Sequence, residues 1–313
     1  MIIVFGSLNM DMMVQVESLP QAGETVLSSD VKFLPGGKGA NQAFAAARLG
    51  EKTAMVGCVG NDDFGRALAD NLRRNGAMTS GVSKTENPTG TAVVTRDAKG
   101  ENQIIVASGA NFDAKAEQVP DEILVDGNYL LLQMELPVSE TVSLLARAKE
   151  AGVTTILNLA PAIMIPQQAL SCLDYLVVNS IEAAQIAKTL GLGSGLSSVK
   201  LAQALAQVGS LTCIVTGGVE GSVAVTKDGE AWKISTVRVE GEDLVDTTGA
   251  GDCYCGTLTA CLHAGKTLQE AMRFASAAAA LSVKGEGAQD SYPYLNDIED
   301  LLDQVGEAEK ITL

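Results

Sequence analysis

The stretch YLLLQMELPVSETVSLLARAKEAGVTTILN, residues 129–158, decides the fold. YLLLQME (129–135) is apolar at consecutive positions, the pattern of a strand covered on both faces. VSETVSLLARAKEAG follows with apolar residues at helical spacing and a glycine stop at Gly152. TTILN then opens a second apolar run. Strand, helix and strand in succession make a βαβ crossover, whose two strands run parallel. The alternation extends both ways from here. MIIVFGS and TAMVGCVG (53–60) precede it, DYLVVNS and CIVTGG follow it, and amphipathic stretches such as DDFGRALADNLRRNG lie between. The expected fold is therefore α/β, a doubly wound, mostly parallel sheet flanked by helices.

Two segments break this pattern. Residues 12–33 and 90–108 alternate apolar and polar at period two, as antiparallel hairpins with one solvated face do. Paired, they would make a small antiparallel β-sheet projecting as a lid over the carboxyl ends of the parallel strands; an edge extension of the main sheet fits the pattern equally. On the lid reading, residues 1–11, 34–89 and 109–313 form an α/β catalytic core, and 12–33 and 90–108 form a β-sheet lid inserted in it.

With 22 basic against 38 acidic residues, the net charge is −16. Nucleic acid and anionic membrane both need a basic footprint, so neither is expected as a partner. A small anion held by local dipoles remains compatible. No apolar run approaches the roughly 18 residues of a membrane span, and MIIVFGS reads as a first strand and not as a signal peptide. The cysteines at 58, 172, 213, 253, 255 and 261 form neither a disulfide framework nor a metal cluster, and are expected as small buried residues in a reducing cytosol. The single histidine, His263, has no nucleophile motif beside it, which leaves acid–base work to carboxylates.

Polar residues gather where the strands end. DTTGAGDCYCGTL (246–258) is a glycine-rich turn opening a helix. The N–H groups of Gly249, Ala250 and Gly251, with the positive end of the helix dipole, suit an anion, usually phosphate. Asp252 follows at once, either as an ordinary first-turn cap or as a group with its own chemical task. LPGGKGANQAFAAARLG (34–50) is a second such turn, without the spacing of a phosphate loop. Lys38 and Asn41 supply polar groups beside a backbone that a ligand can approach closely. In GSLNMD (6–11) the glycine fingerprint of a dinucleotide fold is missing. Instead Asn9 and Asp11 share a face of an extended segment, suited to vicinal hydroxyls or to starting a turn. Glu135 and Asn179 close apolar strands, where open α/β sheets bind ligands. Asn179 and Glu182 fit a shared water or Mg2+, and equally an Asn N-cap with Glu at N3.

GGKGANQA near the N-terminus and DTTGAGD near the C-terminus resemble the two signatures of the ribokinase-like carbohydrate kinases. QMELP, NLAPA, VVNSIEA and TGGVEG resemble that family's landmarks in order and spacing, so the likeness spans essentially the whole chain. It implies transfer of the γ-phosphoryl group of ATP to a sugar hydroxyl. GSLNMD, the TGTA…GENQIIVASGAN segment and GAQDS are most similar to the ribose-phosphorylating members, so the expected reaction is ribose to ribose 5-phosphate. The alternative is a kinase for another furanose or keto sugar, or for a nucleoside, although an aromatic share of 4% leaves little surface to cover a base. A non-catalytic sugar sensor would have no need of Asp252.

By this resemblance Asp252 is the base that accepts the hydroxyl proton, and Gly249, Ala250 and Gly251 form the anion hole for the moving phosphoryl group. Asn9, Asp11, Gly37, Lys38, Asn41 and Glu135 bind the sugar. Asn179, Glu182, Thr216, Gly218 and Ser276 bind the nucleotide, Glu182 being the acidic residue linked to Mg2+ and phosphate. Asp246, Thr248, Ser282, Gly285, Gly287 and Ser291 belong to loops that hold a monovalent cation, usually K+. The family's lid also pairs, which implies a homodimer through the lid. The chain departs from the family at KGEGA (284–288), where a more basic run is common, at Ser276, where a larger polar residue commonly flanks the adenine, and in TGGVEG.

Overall fold

The computed structural model describes residues 1–97 and 102–313; residues 98–101, within the second expected lid segment, lie outside the described residues. The chain opens with β1 (Ile2–Phe5), β2 (Asn9–Gln15), β3 (Val31–Gly36), α1 (Lys38–Arg48), β4 (Thr53–Gly60), α2 (Asp63–Arg74) and β5 (Met78–Thr85). Next come β6 (Gly90–Arg96), β7 (Asn102–Ala107), β8 (Tyr129–Leu132), α3 (Val138–Glu150), β9 (Thr154–Asn158), α4 (Gln167–Leu170) and β10 (Tyr175–Asn179). Then follow α5 (Ser180–Thr189), α6 (Ser198–Gly209), β11 (Thr212–Thr216), β12 (Ser222–Val225) and β13 (Ala231–Ile234). The chain ends with α7 (Ala250–His263), α8 (Leu268–Ser282), α9 (Leu295–Leu301) and β14 (Glu309–Ile311).

Among the described residues ten strands form one sheet, ordered β14-β13-β12-β11-β10-β9-β8-β1-β4-β5. From β11 to β5 every neighbouring pair is parallel. The strands β12, β13 and β14 continue it antiparallel. Along β1, Ile2 and Val4 face one side and Ile3 and Phe5 the other, all fully buried. Helices α1, α2, α7, α8 and α9 cover the first side, and α3 to α6 the second. That double cover is why central strands such as β1 and β8 are apolar at every position instead of alternating.

Helix α7 is unlike its neighbours, being buried from Asp252 through Leu262. A helix enclosed on every side has no polar face to show, and AGDCYCGTLTACLH meets that need with small and apolar residues. Gly256 lets α1 come close: a methyl group there would stand 2.4 Å from the carbonyl oxygen of Gln42. The first turns of α1 and α7 are thereby held side by side.

The second sheet is separate from the first, not an extension of its edge, and has the order β3-β2-β6-β7. Its hairpin pairs, β2–β3 and β6–β7, are antiparallel, and β2 runs parallel to β6 between them. Strand β2 starts at Asn9 and β3 ends at Gly36. The small sheet therefore joins the core at the carboxyl end of β1 and at the turn into α1. Among the described residues no helix is long and apolar enough to cross a membrane. Five of the cysteines are buried free thiols, with Cys172 partly buried, and among the described residues no group of three or more His, Cys, Asp and Glu is placed to hold a metal.

Candidate active site

Asp252 occupies the first turn of α7, and the residue capping that helix is Gly249, in the left-handed region at φ 74°. The first-turn cap reading of Asp252 is not what its side chain does. Its Oδ2 accepts from Asn41 Nδ2 at 3.0 Å and its Oδ1 from Gln42 Nε2 at 2.9 Å, and the whole group is buried. At the helix start Cys253 N–H is taken by Gly249 O at 2.8 Å and Ala250 N–H meets Thr247 O at 3.3 Å. Gly251 carries open space, since a methyl built on it would touch nothing within 4 Å. The turn thus presents backbone and dipole to an open volume directly beside a fixed carboxylate.

That volume is a cavity of about 220 Å³ lined by Lys38, Asn158, Asn179, Glu182, Thr216, Gly249, Gly251, Asp252 and Cys255, among others. An adjoining cavity of about 110 Å³ shares Thr216 and Gly251 with it and adds Gly218, Ala250, Tyr254 and Ser276. All the nucleotide-side residues named from the sequence therefore line two adjoining cavities. Asn179 and Glu182 are also a capping box on α5, with Asn179 Oδ1 accepting from Glu182 N at 2.8 Å and a Glu182 oxygen accepting from Asn179 N at 2.9 Å. Burial pushes the Glu182 carboxyl up, against the pull of the Asn179 N–H and of Lys38. The Asp252 carboxylate, helped by Glu135 and Glu182, holds the Lys38 ammonium above its usual value despite burial.

The sugar-side residues meet at the same end of the sheet. Asn9 is buried on β2, with Oδ1 accepting from Asn111 Nδ2 at 2.8 Å; Asn111 in turn accepts from Leu8 N at 2.9 Å. Gly37, at φ 90°, caps α1. Glu135 Oε2 accepts from Ser7 Oγ at 2.5 Å and from Lys38 N at 3.2 Å, which ties the end of β8 to the turn before α1. Asp11 is pushed up to about 7, first by burial and then by the Glu135 and Asp252 carboxylates, with Lys38 opposing. Asn41 points at Asp252 and not only at a ligand space, its Oδ1 accepting from Gln289 Nε2 at 3.0 Å.

The loop residues close on one another. Asp246 is buried; its Oδ1 accepts from Thr248 N at 3.0 Å and Oγ1 at 2.8 Å, and its Oδ2 from Gly287 N at 3.0 Å. Ser291 Oγ bonds to the carbonyls of Gly287 and Ala288. Gly285 packs on Ser291, where a methyl would stand 2.8 Å from its Cβ. Ser282 is turned back to Ala279 O at 2.9 Å.

Not foreseen from the sequence are Gln42, whose amide holds Asp252 directly, Asn158 and Gln289, which bond to Gln42 and Asn41 behind it, and the support of Asn9 by Asn111 and of Glu135 by Ser7. One signal was present: two adjacent amides, Asn41 and Gln42, inside an alanine-rich helix that has no other polar interior residue.

The pattern of the pfkB family carbohydrate kinases matches residues 1–295. The ribokinase of Bacillus subtilis is 36% identical over 306 residues, covering 96% of this chain and 99% of that protein. The ribokinase of Haemophilus influenzae is 35% identical over 293 residues, covering 93% and 94%. Among solved structures, the ribokinase of Thermotoga maritima superposes with a TM-score of 0.88 at 36% identity, covering 96% of this chain and 99% of that one. The ribokinase of Arabidopsis thaliana, described as complexed with ribose and ATP, gives 0.86 at 33% identity, covering 96% and 98%. With the family pattern matched along nearly its whole length, the chain belongs to the pfkB family of carbohydrate kinases.

Proposed function

We propose that the chain is an ATP-dependent kinase that phosphorylates ribose to ribose 5-phosphate. The observation that carries this reading is the pairing of the fixed Asp252 carboxylate with the open N-terminal turn of α7, in one cavity with the Lys38 ammonium. A base and an anion site side by side are what transfer of a phosphoryl group to a hydroxyl requires. The relatives' description as ribokinases, one of them complexed with ribose and ATP, supports ribose as acceptor.

Asp252 takes the hydroxyl proton as the sugar oxygen bonds to the γ-phosphorus and the bond from that phosphorus to the ADP oxygen breaks. Sugar phosphate and ADP leave, and the proton stays on Asp252 until solvent removes it. The backbone around Gly249, Ala250 and Gly251 offsets the charge on the moving group, a contribution of a few kcal/mol where donors are fixed in advance. Lys38 supplies a positive charge at the same place. Asn9, Asp11, Gly37 and Glu135 orient the sugar, and Asn179, Thr216, Gly218 and Ser276 the nucleotide.

Two ions belong to this reading. Glu182 is a carboxylate at the cavity wall and would hold Mg2+, which would supply positive charge to offset that of the phosphates. The loops carrying Asp246, Thr248, Ser282, Gly285, Gly287 and Ser291 offer oxygen donors around a buried carboxylate, which suits a hard monovalent cation such as K+. The small sheet is read as a lid over the sugar, and its exposed Val31, Phe33 and Ile105, which the strand register sets on one side of the sheet, as the face of a homodimer. The chain's cysteines, present as free thiols, fit a reducing cytoplasm.

A coupled ADP-release assay with ATP and Mg2+, with and without K+, tests the reading on ribose, deoxyribose, fructose, adenosine and pseudouridine. Turnover on ribose stimulated by K+ is expected. Turnover confined to another acceptor keeps the mechanism and overturns the substrate. Absence of turnover from folded protein that still binds a sugar overturns the kinase.

A further inference from the structure

We infer that Gln42 is a positioning residue for the reaction: its amide fixes the Asp252 carboxylate, and the polarity of a whole chain of buried amides is set to keep it there. The inference rests on the assignment of Asp252 as the base. Gln42 is fully buried. Its Nε2 donates to Asp252 Oδ1 at 2.9 Å and to Asn158 Oδ1 at 3.0 Å, and its Oε1 accepts from Gln133 Nε2 at 2.7 Å. An ionised carboxylate only accepts, so both amides facing Asp252 must present N–H. That fixes Asn41 with Oδ1 toward Gln289 Nε2 at 3.0 Å, and Gln289 with Oε1 toward Asn71 Nδ2 at 2.7 Å.

On the Gln42 side the same demand leaves a mark. Gln133 Oε1 is buried with no hydrogen-bond partner in the protein, which carries a desolvation penalty. Turning the Gln133 amide over would set its oxygen against Gln42 Oε1. Relieving that contact by turning Gln42 would take its N–H away from Asp252. The orphaned oxygen is therefore the consequence of holding the Gln42 N–H on the base. Gly256 makes the arrangement reachable, since α1 presses its Gln42 carbonyl against the glycine one turn beyond Asp252. With each oxygen held by a separate amide, the carboxylate cannot rotate, and it meets the incoming hydroxyl without reorganising.

The test measures kcat and KM for sugar and ATP in Gln42→Met, Asp252→Asn and the double variant, with thermal melts to check folding. Gln42→Met keeps length and burial while removing the donor. Loss of a hydrogen bond to a charged group predicts a fall in kcat of roughly ten- to a hundredfold with both KM values held within about twofold. In the Asp252→Asn background the same change should cost no more than about twofold, because Gln42 acts through the carboxylate. A merely structural glutamine would cost the same in both backgrounds, and that result overturns the inference, as does a single variant within about threefold of the parent kcat. Should Gln42→Met not fold, Gln289→Met on the other arm carries the test, with a kcat loss of about threefold or more that vanishes in the Asp252→Asn background. Asp252→Asn with near-parent turnover sinks the base assignment; an inert Asp252→Asn beside an unimpaired Gln42→Met sinks this inference alone.

Discussion

The carboxylate of Asp11 rests directly on the Cα of Gly36, so that a methyl group at Gly36 would stand 2.1 Å from Asp11 Oδ2. The register of β2 and β3 pairs Asn9 with Gly36 and Asp11 with Leu34. The Asp11 side chain therefore leans back along the strand into the space the glycine leaves. Gly36→Ala should push the carboxylate out of that position. If Asp11 holds a sugar hydroxyl, KM for sugar rises roughly tenfold or more, the value of one hydrogen bond to a charged group. KM for ATP should stay within about twofold, because that pocket lies beyond Lys38. Steady-state kinetics with each substrate varied would check this, and an unchanged sugar KM would take Asp11 out of the sugar site.

The same residue sets a pH dependence. Burial, then Glu135 and Asp252, push Asp11 up to about 7, against about 3.9 for an aspartate in an unfolded chain. Between those values the folded protein holds a proton that the unfolded chain has released. The stability from this group is thus fully present below about pH 4 and is lost as pH rises through about 7. Asp11→Asn cannot ionise and escapes the loss. Urea midpoints should show the variant gaining on the parent between about pH 5 and about pH 8. Parallel profiles would mean that Asp11 is ionised throughout the range.

The parallel core was legible because burial on both faces leaves runs such as Tyr129–Leu132 and Tyr175–Asn179 with little choice of residue. Which strands join the two hairpins, and that they run parallel, was not legible. The pairing of β2 with β6 joins two strands through matched backbone edges, and period-two alternation names the face of a strand without naming its neighbour. Asp252 was legible by its glycine turn. The amides behind it were not, since Gln42, which bonds to Asp252, and Asn158 and Gln289, which bond to Gln42 and Asn41, stand on three separate elements and only the fold brings them together. Asn179 and Glu182 illustrate a different limit. Their spacing fits both a capping box and a ligand site, and the structure places the capping box on the cavity wall, so neither reading excluded the other.

Gly249 is the residue whose conformation aims the turn. At φ 74° it lies where a side chain is strained, and a methyl would stand 2.5 Å from both Ala288 Cβ and Tyr292 Oη. The Tyr292 hydroxyl also donates to Gly249 O at 2.7 Å. Gly249→Ala should cost at least the 1–2 kcal/mol or so of left-handed backbone. It should also lower kcat by about ten- to a hundredfold as the backbone donors shift. Thermal melts and kcat would be measured together. A lower melting temperature with parent kcat would place the anion site elsewhere.

The exposed apolar side chains of β3 and β7 make the dimer testable. Ile105 is 66% exposed and Phe33 47%, large values for residues of this kind. A lysine at Ile105 would leave the fold of the small sheet intact, because the side chain faces away from its core. If this face pairs two copies, Ile105→Lys should shift sedimentation from dimer to monomer, with KM for sugar raised if the partner steadies the lid. A parent that already sediments as a monomer would remove the homodimer.

Asp246 accepts three hydrogen bonds, two from Thr248 and one from Gly287, and so ties the 246–248 turn to the 283–291 loop just ahead of Gly249. Asp246→Asn keeps the shape but turns an N–H2 toward one of those donors and removes the negative charge that favours a cation. If the loops hold K+ and thereby fix the turn, the parent should gain turnover as KCl is raised at constant ionic strength. The variant should lose that response and run near the parent's K+-free rate, with sugar binding by calorimetry unchanged. Equal KCl responses in parent and variant would mean that Asp246 serves only the loop. No KCl response in the parent would remove the cation from the reaction, leaving Asp246 as the tie that holds Gly249 in place.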